Sequence, residues 1–334
     1  MTFVERFRGG NQIPDVNLSG RTVLITGANT GLGLEAAIHY ARLSPARLIL
    51  AVRTVSTGEE AASRIVSETP LSRDRIEVWQ LDLSSFDNVV AFSRRCQQLE
   101  RLDIAILNAA VAGLKWKTTS EGWESMLQVN VISTGLQAVQ LLPVLRRTGD
   151  LPTPPGGEDI KPHLSIIASD VSFIAAFTEQ HAVPSKHSSY LAALNDEKLF
   201  NAFDRYNTSK LLEVGLAREL AKVPMAEGVV VNTVNPGLTK SGLRREAPGV
   251  FERFFNLIAR DTADSAKNYV FAGVTDTDAL NGGIGGAYVS LCQVKPPVSS
   301  VTTPEGVEMH KKILGELVEL WKGIDGEAVK AVFS

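Results

Sequence analysis

Cysteine is nearly missing from this 334-residue chain: Cys96 and Cys292 are the only two, far apart and outside any C-x-x-C spacing. Their scarcity excludes a disulfide framework and a cysteine-built metal cluster, and fits a reducing, intracellular setting. Long apolar runs are missing too; none approaches the roughly 18–20 residues needed to span a bilayer. At the N-terminus, Met1-Thr2-Phe3-Val4-Glu5-Arg6-Phe7-Arg8 interleaves charges where a secretory signal keeps a continuous apolar core. Neither sign of charge prevails: 34 Lys and Arg stand against 37 Asp and Glu, a net of -3. That balance offers no electrostatic reason for a nucleic-acid partner or an anionic membrane surface. Internal repeats are also absent. What the chain does have is length and 44% hydrophobic residues, enough for a sizeable α/β core. A soluble, cytoplasmic protein with a small-molecule ligand is the expectation.

Short apolar runs alternate with helical patterns. Strands are expected at Val23-Leu24-Ile25, Arg47–Val52, Arg75–Leu81, Leu102–Leu107, Leu164–Ala168 and Val229–Val234, with helices near 56–68, 85–99, 118–147 and 205–222. Strand–helix alternation with continuously apolar strands predicts an α/β fold, a doubly wound parallel sheet with helices on both faces. The whole of 1–334 reads as one domain. The Pro- and Gly-rich segment 148–162 is an enlarged surface loop, and 170–205 is an insertion, weakly helical near 190–203. From 238 to 334 the pattern is mostly helical (250–260, 264–272, 304–322) and is expected to cover the active site. One apolar run there, Ala287–Leu291, suits an edge strand.

Directly after the first strand comes Thr26-Gly27-Ala28-Asn29-Thr30-Gly31-Leu32-Gly33, followed by a helical pattern. A strand, a glycine turn and a helix N-terminus make an anion site, because backbone N–H groups and the helix dipole converge there. The spacing is G-x-x-x-G-x-G, not the general dinucleotide G-x-G-x-x-G. Farther on, Tyr206-Asn207-Thr208-Ser209-Lys210 opens a helix, and residues four apart share a helix face. A phenol with a pKa of about 10 is a poor catalyst at neutral pH. An ammonium about 4 Å away contributes roughly 4 kcal/mol at an effective dielectric near 20, enough to draw the phenol toward neutrality. His181 and His187, six apart in the insertion with no third ligand, read as surface residues, and no metal is expected.

Taken together, TGANTGLG and YNTSK resemble the short-chain dehydrogenase/reductase family, over most of the chain. The resemblance implies a single Rossmann-type domain with an enlarged substrate-covering insertion. It assigns Asn130, Ser169, Tyr206 and Lys210 as catalytic. Ser169 and Tyr206 would donate to a carbonyl oxygen during hydride transfer, Tyr206 would give its proton, Lys210 would depress the phenol and hold the cofactor ribose, and Asn130 would link a proton relay to water. Cofactor contacts would come from Gly27, Asn29, Thr30, Gly31, Leu32 and Gly33 at the turn. Asp82 and Leu83 would meet the adenine. Asn108, in Asn108-Ala109-Ala110 where the family has Asn-Ala-Gly, would line the cofactor, and Pro236, Gly237 and Thr239 would seat the nicotinamide carboxamide.

The end of the second strand bears on the cofactor. NAD sites place an acid there for the ribose 2′-OH, whereas an arginine suits a 2′-phosphate. Here Arg53 follows Val52 and no acid appears before Glu59, so NADPH/NADP+ is favoured over NAD. The long Ser169–Tyr206 separation is similar to the retinol-dehydrogenase-like and fungal biosynthetic branches and implies a bulky, fairly apolar carbonyl or alcohol substrate. Within that stretch Phe173 and Phe177 either line the substrate pocket or pack the insertion. Relatives often dimerise through the tyrosine-bearing helix, which makes a homodimer an expectation. Two other outcomes of the same sequence are a cofactor-binding scaffold or sensor without turnover, and an NADPH-assisted epimerase or cyclase.

Overall fold

The computed structural model describes residues 12–183, 185–239 and 259–334. Its strands are the β-branched and aliphatic runs: β1 (Thr22–Thr26), β2 (Arg47–Val52), β3 (Ile76–Gln80), β4 (Ile104–Leu107), β5 (His163–Ile167), β6 (Val230–Asn235), β7 (Ala287–Ser290) and β8 (Gln293–Lys295). They form one sheet in the order β3-β2-β1-β4-β5-β6-β7-β8. All pairings are parallel except the last, β7 with β8. Strand order reverses between β1 and β4, which opens a crevice at the strand carboxyl ends, where α/β sheets bind ligands.

Helices cover both faces. On one side lie α1 (Gly31–Arg42) and α2 (Val55–Glu68); on the other lie α3 (Phe86–Gln97) and α4 (Thr134–Gly149), the latter preceded by a π-helical segment at Leu127–Ser133. The insertion contributes 3-10 turns at Asp170–Ile174 and Thr178–Ala182, the short α5 (Tyr190–Leu194) and a turn at Glu197–Leu199. After it come α6 (Arg205–Leu220), α7 (Thr262–Val274), α8 (Thr277–Leu280) and the long α9 (Pro304–Phe333), kinked at Asp325. Two apolar clusters, one per face, result: α1, α2 and α7 share the first, and α3, α4, α6 and α9 the second. Buried Arg21 and Asp103 pair at 2.8 Å below β1 and β4, and Asp103 also accepts from the Thr22 N–H.

Three expectations change. The helix foreseen from 118 begins only at 125: Gly122 takes φ +83°, and the Glu124 carboxylate accepts from the Met126 and Leu127 N–H groups, capping the helix there. Ala287–Ser290 is not an edge strand but an interior one, because the chain turns back at Leu291-Cys292 and adds β8 outside it. Both turn residues have positive φ, 58° and 51°, the geometry of a two-residue hairpin. The last helix runs on from 322 to Phe333. Most of the helix foreseen at 250–260 lies outside the described residues.

α7 packs on α1 and under β4 and β5, while α9 crosses α4 and α6. Trp321 of α9 is fully buried and donates to the Ile132 carbonyl at 3.0 Å. The outer side of the tyrosine-bearing helix is thus covered by the chain's own C-terminal helix.

Candidate active site

The glycine turn sits at the carboxyl end of β1. Gly27 takes φ +65°, and a Cβ on Gly33 would lie 2.4 Å from the Gly27 carbonyl oxygen and 2.6 Å from Asn108 Nδ2, so only glycine permits this approach. Asn108 locks the turn, donating to the Thr26 carbonyl at 2.8 Å and the Gly27 carbonyl at 3.3 Å. Thr30 makes no side-chain cap on α1, and the first turn holds no acid. The N–H groups of Gly31, Leu32 and Gly33 are left for an outside anion, and nothing lies within 4 Å of where a Gly31 Cβ would be. Asn29 is tied to Thr57 of α2 at 3.2 Å.

The residues expected on the adenine side lie at the ends of the neighbouring strands β2 and β3. One Asp82 carboxylate oxygen accepts from the Ser84 N–H and hydroxyl, at 2.9 and 2.6 Å, and the Asp82 N–H donates to Asn88 Oδ1. Its second oxygen makes no such contact among the described residues, and Leu83 is buried. Arg53 is exposed at the end of β2 with no ion-pair partner among the described residues. These features match the needs of a dinucleotide: free N–H groups for a pyrophosphate, an acceptor for an adenine amine, and a cation for a phosphate on the ribose.

At the other end, α6 carries Tyr206 and Lys210. Lys210 Nζ donates to the Ile167 carbonyl at 2.8 Å, joining α6 to the end of β5, two residues before Ser169. Ser209 Oγ donates to the Tyr206 carbonyl at 2.8 Å and accepts from Asn130 Nδ2 at 3.0 Å. Asn130 also clamps Val111, taking its N–H and giving to its carbonyl, each at 2.9 Å. Both N–H donors of Asn130 are thereby used inside the protein, and the π-helical segment around it is the kind that recurs at functional sites. Ser169 lies two residues past the end of β5 and caps the turn at Asp170–Ile174, its Oγ near the Val171 N–H at 3.4 Å. Asn235 fixes the neighbouring loop through the Asp170 and Gly237 N–H groups, at 3.0 and 2.9 Å; Pro236 and Thr239 are buried there. Thr239 bridges to Arg260.

Lys210 has a further buried partner besides Tyr206. Its Nζ lies 5.7 Å from the Tyr206 ring centre and is paired with both oxygens of Glu213 at 2.9 Å, all of it buried. The ammonium acting on the phenol is therefore partly cancelled, and its donors meet acceptors within the protein. Burial opposes its charge, but Glu213 and Tyr206 outweigh burial and hold the Lys210 pKa above its usual value. Of the two alternatives for Phe177, packing holds and pocket lining does not: 1% exposed, it packs the insertion into the core against Tyr190, with ring centres 6.3 Å apart. Phe173 stays 47% exposed, edge-on to Tyr288. His187 pairs with Asp196 at 3.1 Å.

Sequence reasoning missed four positioning groups. Arg205, one residue before Tyr206, is 1% exposed and bonds Glu179 at 2.8 Å, with Glu124 at 3.5 Å and the Leu194 carbonyl alongside. Asp204 takes the Ala176 and Phe177 N–H groups at 3.0 Å and the Thr208 hydroxyl at 2.9 Å. Together these two pin the insertion to the start of α6. Trp116, after β4, meets Phe200 of the insertion edge-on at 5.5 Å. Tyr269 of α7 donates to Asn108 Oδ1 at 2.9 Å; burial, helped by Tyr206 and Glu213, raises its phenol well above the ordinary value. Only Arg205 and Asp204 had a signal, their contact with the motif in sequence.

The short chain dehydrogenase family model matches residues 21–150. Short chain dehydrogenase/reductase dmxR8 of Cryptosporiopsis sp. (strain 8999) is 36% identical over 316 residues, 92% of each chain. Short chain dehydrogenase sol3 of Alternaria solani is 39% identical over 277 residues, covering 83% of this chain and 90% of its own. These relatives are fungal. Among solved structures, a protein from Mycobacterium paratuberculosis aligns over 97% of both chains with a TM-score of 0.60 at 19% identity. A short chain dehydrogenase from Shigella flexneri 2a complexed with NADP aligns over 79% of this chain and 95% of its own, with a TM-score of 0.56 at 23% identity. Fold, glycine turn and relatives agree, and the chain belongs to the short-chain dehydrogenase/reductase family of oxidoreductases.

Proposed function

We propose that the chain is an NADPH-dependent reductase that interconverts a carbonyl and a primary or secondary alcohol on a bulky, fairly apolar small molecule. The observation that carries this reading is the docking of α6. Lys210 on the Ile167 carbonyl and Ser209 on Asn130 hold the Tyr206 helix against the strand end that bears Ser169. The nicotinamide, when bound, supplies the hydride. Ser169 and Tyr206 donate hydrogen bonds to the carbonyl oxygen, where negative charge grows, and so favour the transition state over the ground state. Tyr206 then passes its proton to that oxygen. The uncapped start of α1 holds the pyrophosphate, Asp82 the adenine and Arg53 the 2′-phosphate.

Substrate class follows from what the cleft segments expose. Phe173 and Ile174, just after Ser169, are 47% and 71% exposed, and Phe203, just before Tyr206, is 83% exposed. Apolar side chains left in water beside catalytic residues suit an apolar ligand. The fungal relatives support a secondary-metabolite intermediate as that ligand, and two free cysteines suit the cytoplasm. The test is Tyr206→Phe, assayed on a carbonyl panel with product mass spectrometry. Turnover should fall at least about 100-fold while NADPH still binds, and wild-type product should be two hydrogens heavier than substrate. Full activity of the variant would sink the mechanism; product of unchanged mass would point to the epimerase or cyclase outcome.

A further inference from the structure

An ammonium has three N–H donors and no acceptor. Lys210 Nζ has three acceptors around it, the Ile167 carbonyl at 2.8 Å and the two Glu213 oxygens at 2.9 Å each. Lys210 and Glu213 are both 2% exposed, so water cannot replace any of these contacts. The pair is one helical turn of α6, which makes it a fixed property of the helix. Among the described residues, the other titratable groups facing it are Tyr206, on the same helix, and Tyr269 from α7; β5 contributes only the Ile167 carbonyl.

We propose that Glu213 is a positioning residue that couples NADP(H) binding to the uptake of one proton: ionised, it cages the Lys210 ammonium, and protonated, it frees those N–H donors for the cofactor ribose. The proposal rests on the reading above, in which Lys210 holds that ribose. Its physical basis is the cost of a stranded charge. Donors given to a ribose are taken from a carboxylate with no water to replace them, and a buried, unpaired carboxylate takes up a proton instead. Burial, opposed by Lys210, already lifts the Glu213 carboxyl to about 7, so the proton is available near neutral pH. Once Glu213 is neutral, the ammonium acts on Tyr206 uncancelled. Cofactor binding thus also readies the catalytic phenol.

Calorimetric titration of NADPH into the full chain at pH 8, in two buffers of different ionisation enthalpy, counts the protons taken up. The wild type should take up close to one per NADPH, and Glu213→Gln close to none. Above pH 7 the wild-type Kd should weaken about tenfold per pH unit, and that of Glu213→Gln should stay flat to pH 9. The cofactor's 2′-phosphate titrates near pH 6, below this window. Tight wild-type binding without proton uptake overturns the proposal and leaves the reductase reading intact. An unchanged proton count in Glu213→Gln, whatever its melting temperature, also overturns it. Failure of the folded wild type to bind NADPH anywhere from pH 6 to 9 overturns both. The wild-type count needs no variant, so a misfolded Glu213→Gln still leaves a decisive result.

Discussion

Replacing Arg205 by methionine removes one cation from between two buried carboxylates. Glu124 is 0% and Glu179 2% exposed, and Arg205 bonds Glu179 at 2.8 Å while lying 3.5 Å from Glu124. Breaking a buried ion pair from one side costs about 3–5 kcal/mol, because the partner charge stays behind without compensation. The Leu194 carbonyl loses its donor as well, worth about 1 kcal/mol. The contact over the Phe200 ring, at 5.4 Å, adds less. Arg205→Met should therefore lose about 5 kcal/mol in urea denaturation, a large share of the 5–15 kcal/mol that holds a typical domain. Adding Glu179→Gln should restore more than about 1 kcal/mol, since one of the two stranded charges is gone. Because Tyr206 is the next residue, kcat should fall while the Kd for NADPH barely moves. A loss below about 1 kcal/mol for Arg205→Met, or no recovery in the double variant, would refute the claim that this ionic node docks the insertion on α6.

Arg53→Ala should weaken NADPH binding about 10–100-fold, the worth of charge-assisted bonds to one phosphate, and leave NADH affinity almost unchanged; equal losses for both would remove Arg53 from the 2′-phosphate site. His310 is 4% exposed, and burial, aided by Arg218, lowers its pKa from 6.5 to about 4. The unfolded chain then binds the extra proton first, so this residue's contribution declines as pH falls from about 6.5 to about 4, by roughly 3 kcal/mol. His310→Gln should flatten that part of the stability–pH curve measured by denaturation. Because α9 covers α4 and α6, assembly through the Tyr206 helix would require displacing Trp321. Cross-linking with mass spectrometry should therefore find no intermolecular contact through α6; a stable dimer whose interface maps to α6 would contradict this.

The strands were legible because a parallel sheet buries both faces, which writes each strand as an unbroken apolar run. Arg47–Val52 has the same bounds in sequence and structure. β8 was not legible. Its turn, Leu291-Cys292, lacks the Gly, Asn or Asp that announces positive φ, and is held instead by Asn268, which accepts the Cys292 N–H at 2.8 Å. Phe177 and Phe173 look alike as letters, yet one is core and the other surface. The helix start at Glu124 was hidden for a related reason. A glutamate reads as an ordinary helix residue until its carboxylate is seen folded onto the N–H groups that follow it.

By itself the sequence determined the family, the glycine turn after the first strand and the Tyr206–Lys210 helix face, because each depends on short spacing along a strand end or one helix turn. Tertiary structure decided what those residues are free to do. Lys210 and Glu213 are three apart in plain view, but their pairing becomes an obligation only when both are sealed from water. Arg205 is a charged letter beside a motif, and its partners Glu124 and Glu179 come from segments far along the chain. Burial turns such charges from solvated ornaments into constraints, and burial is a property of the packed molecule that no local spacing encodes.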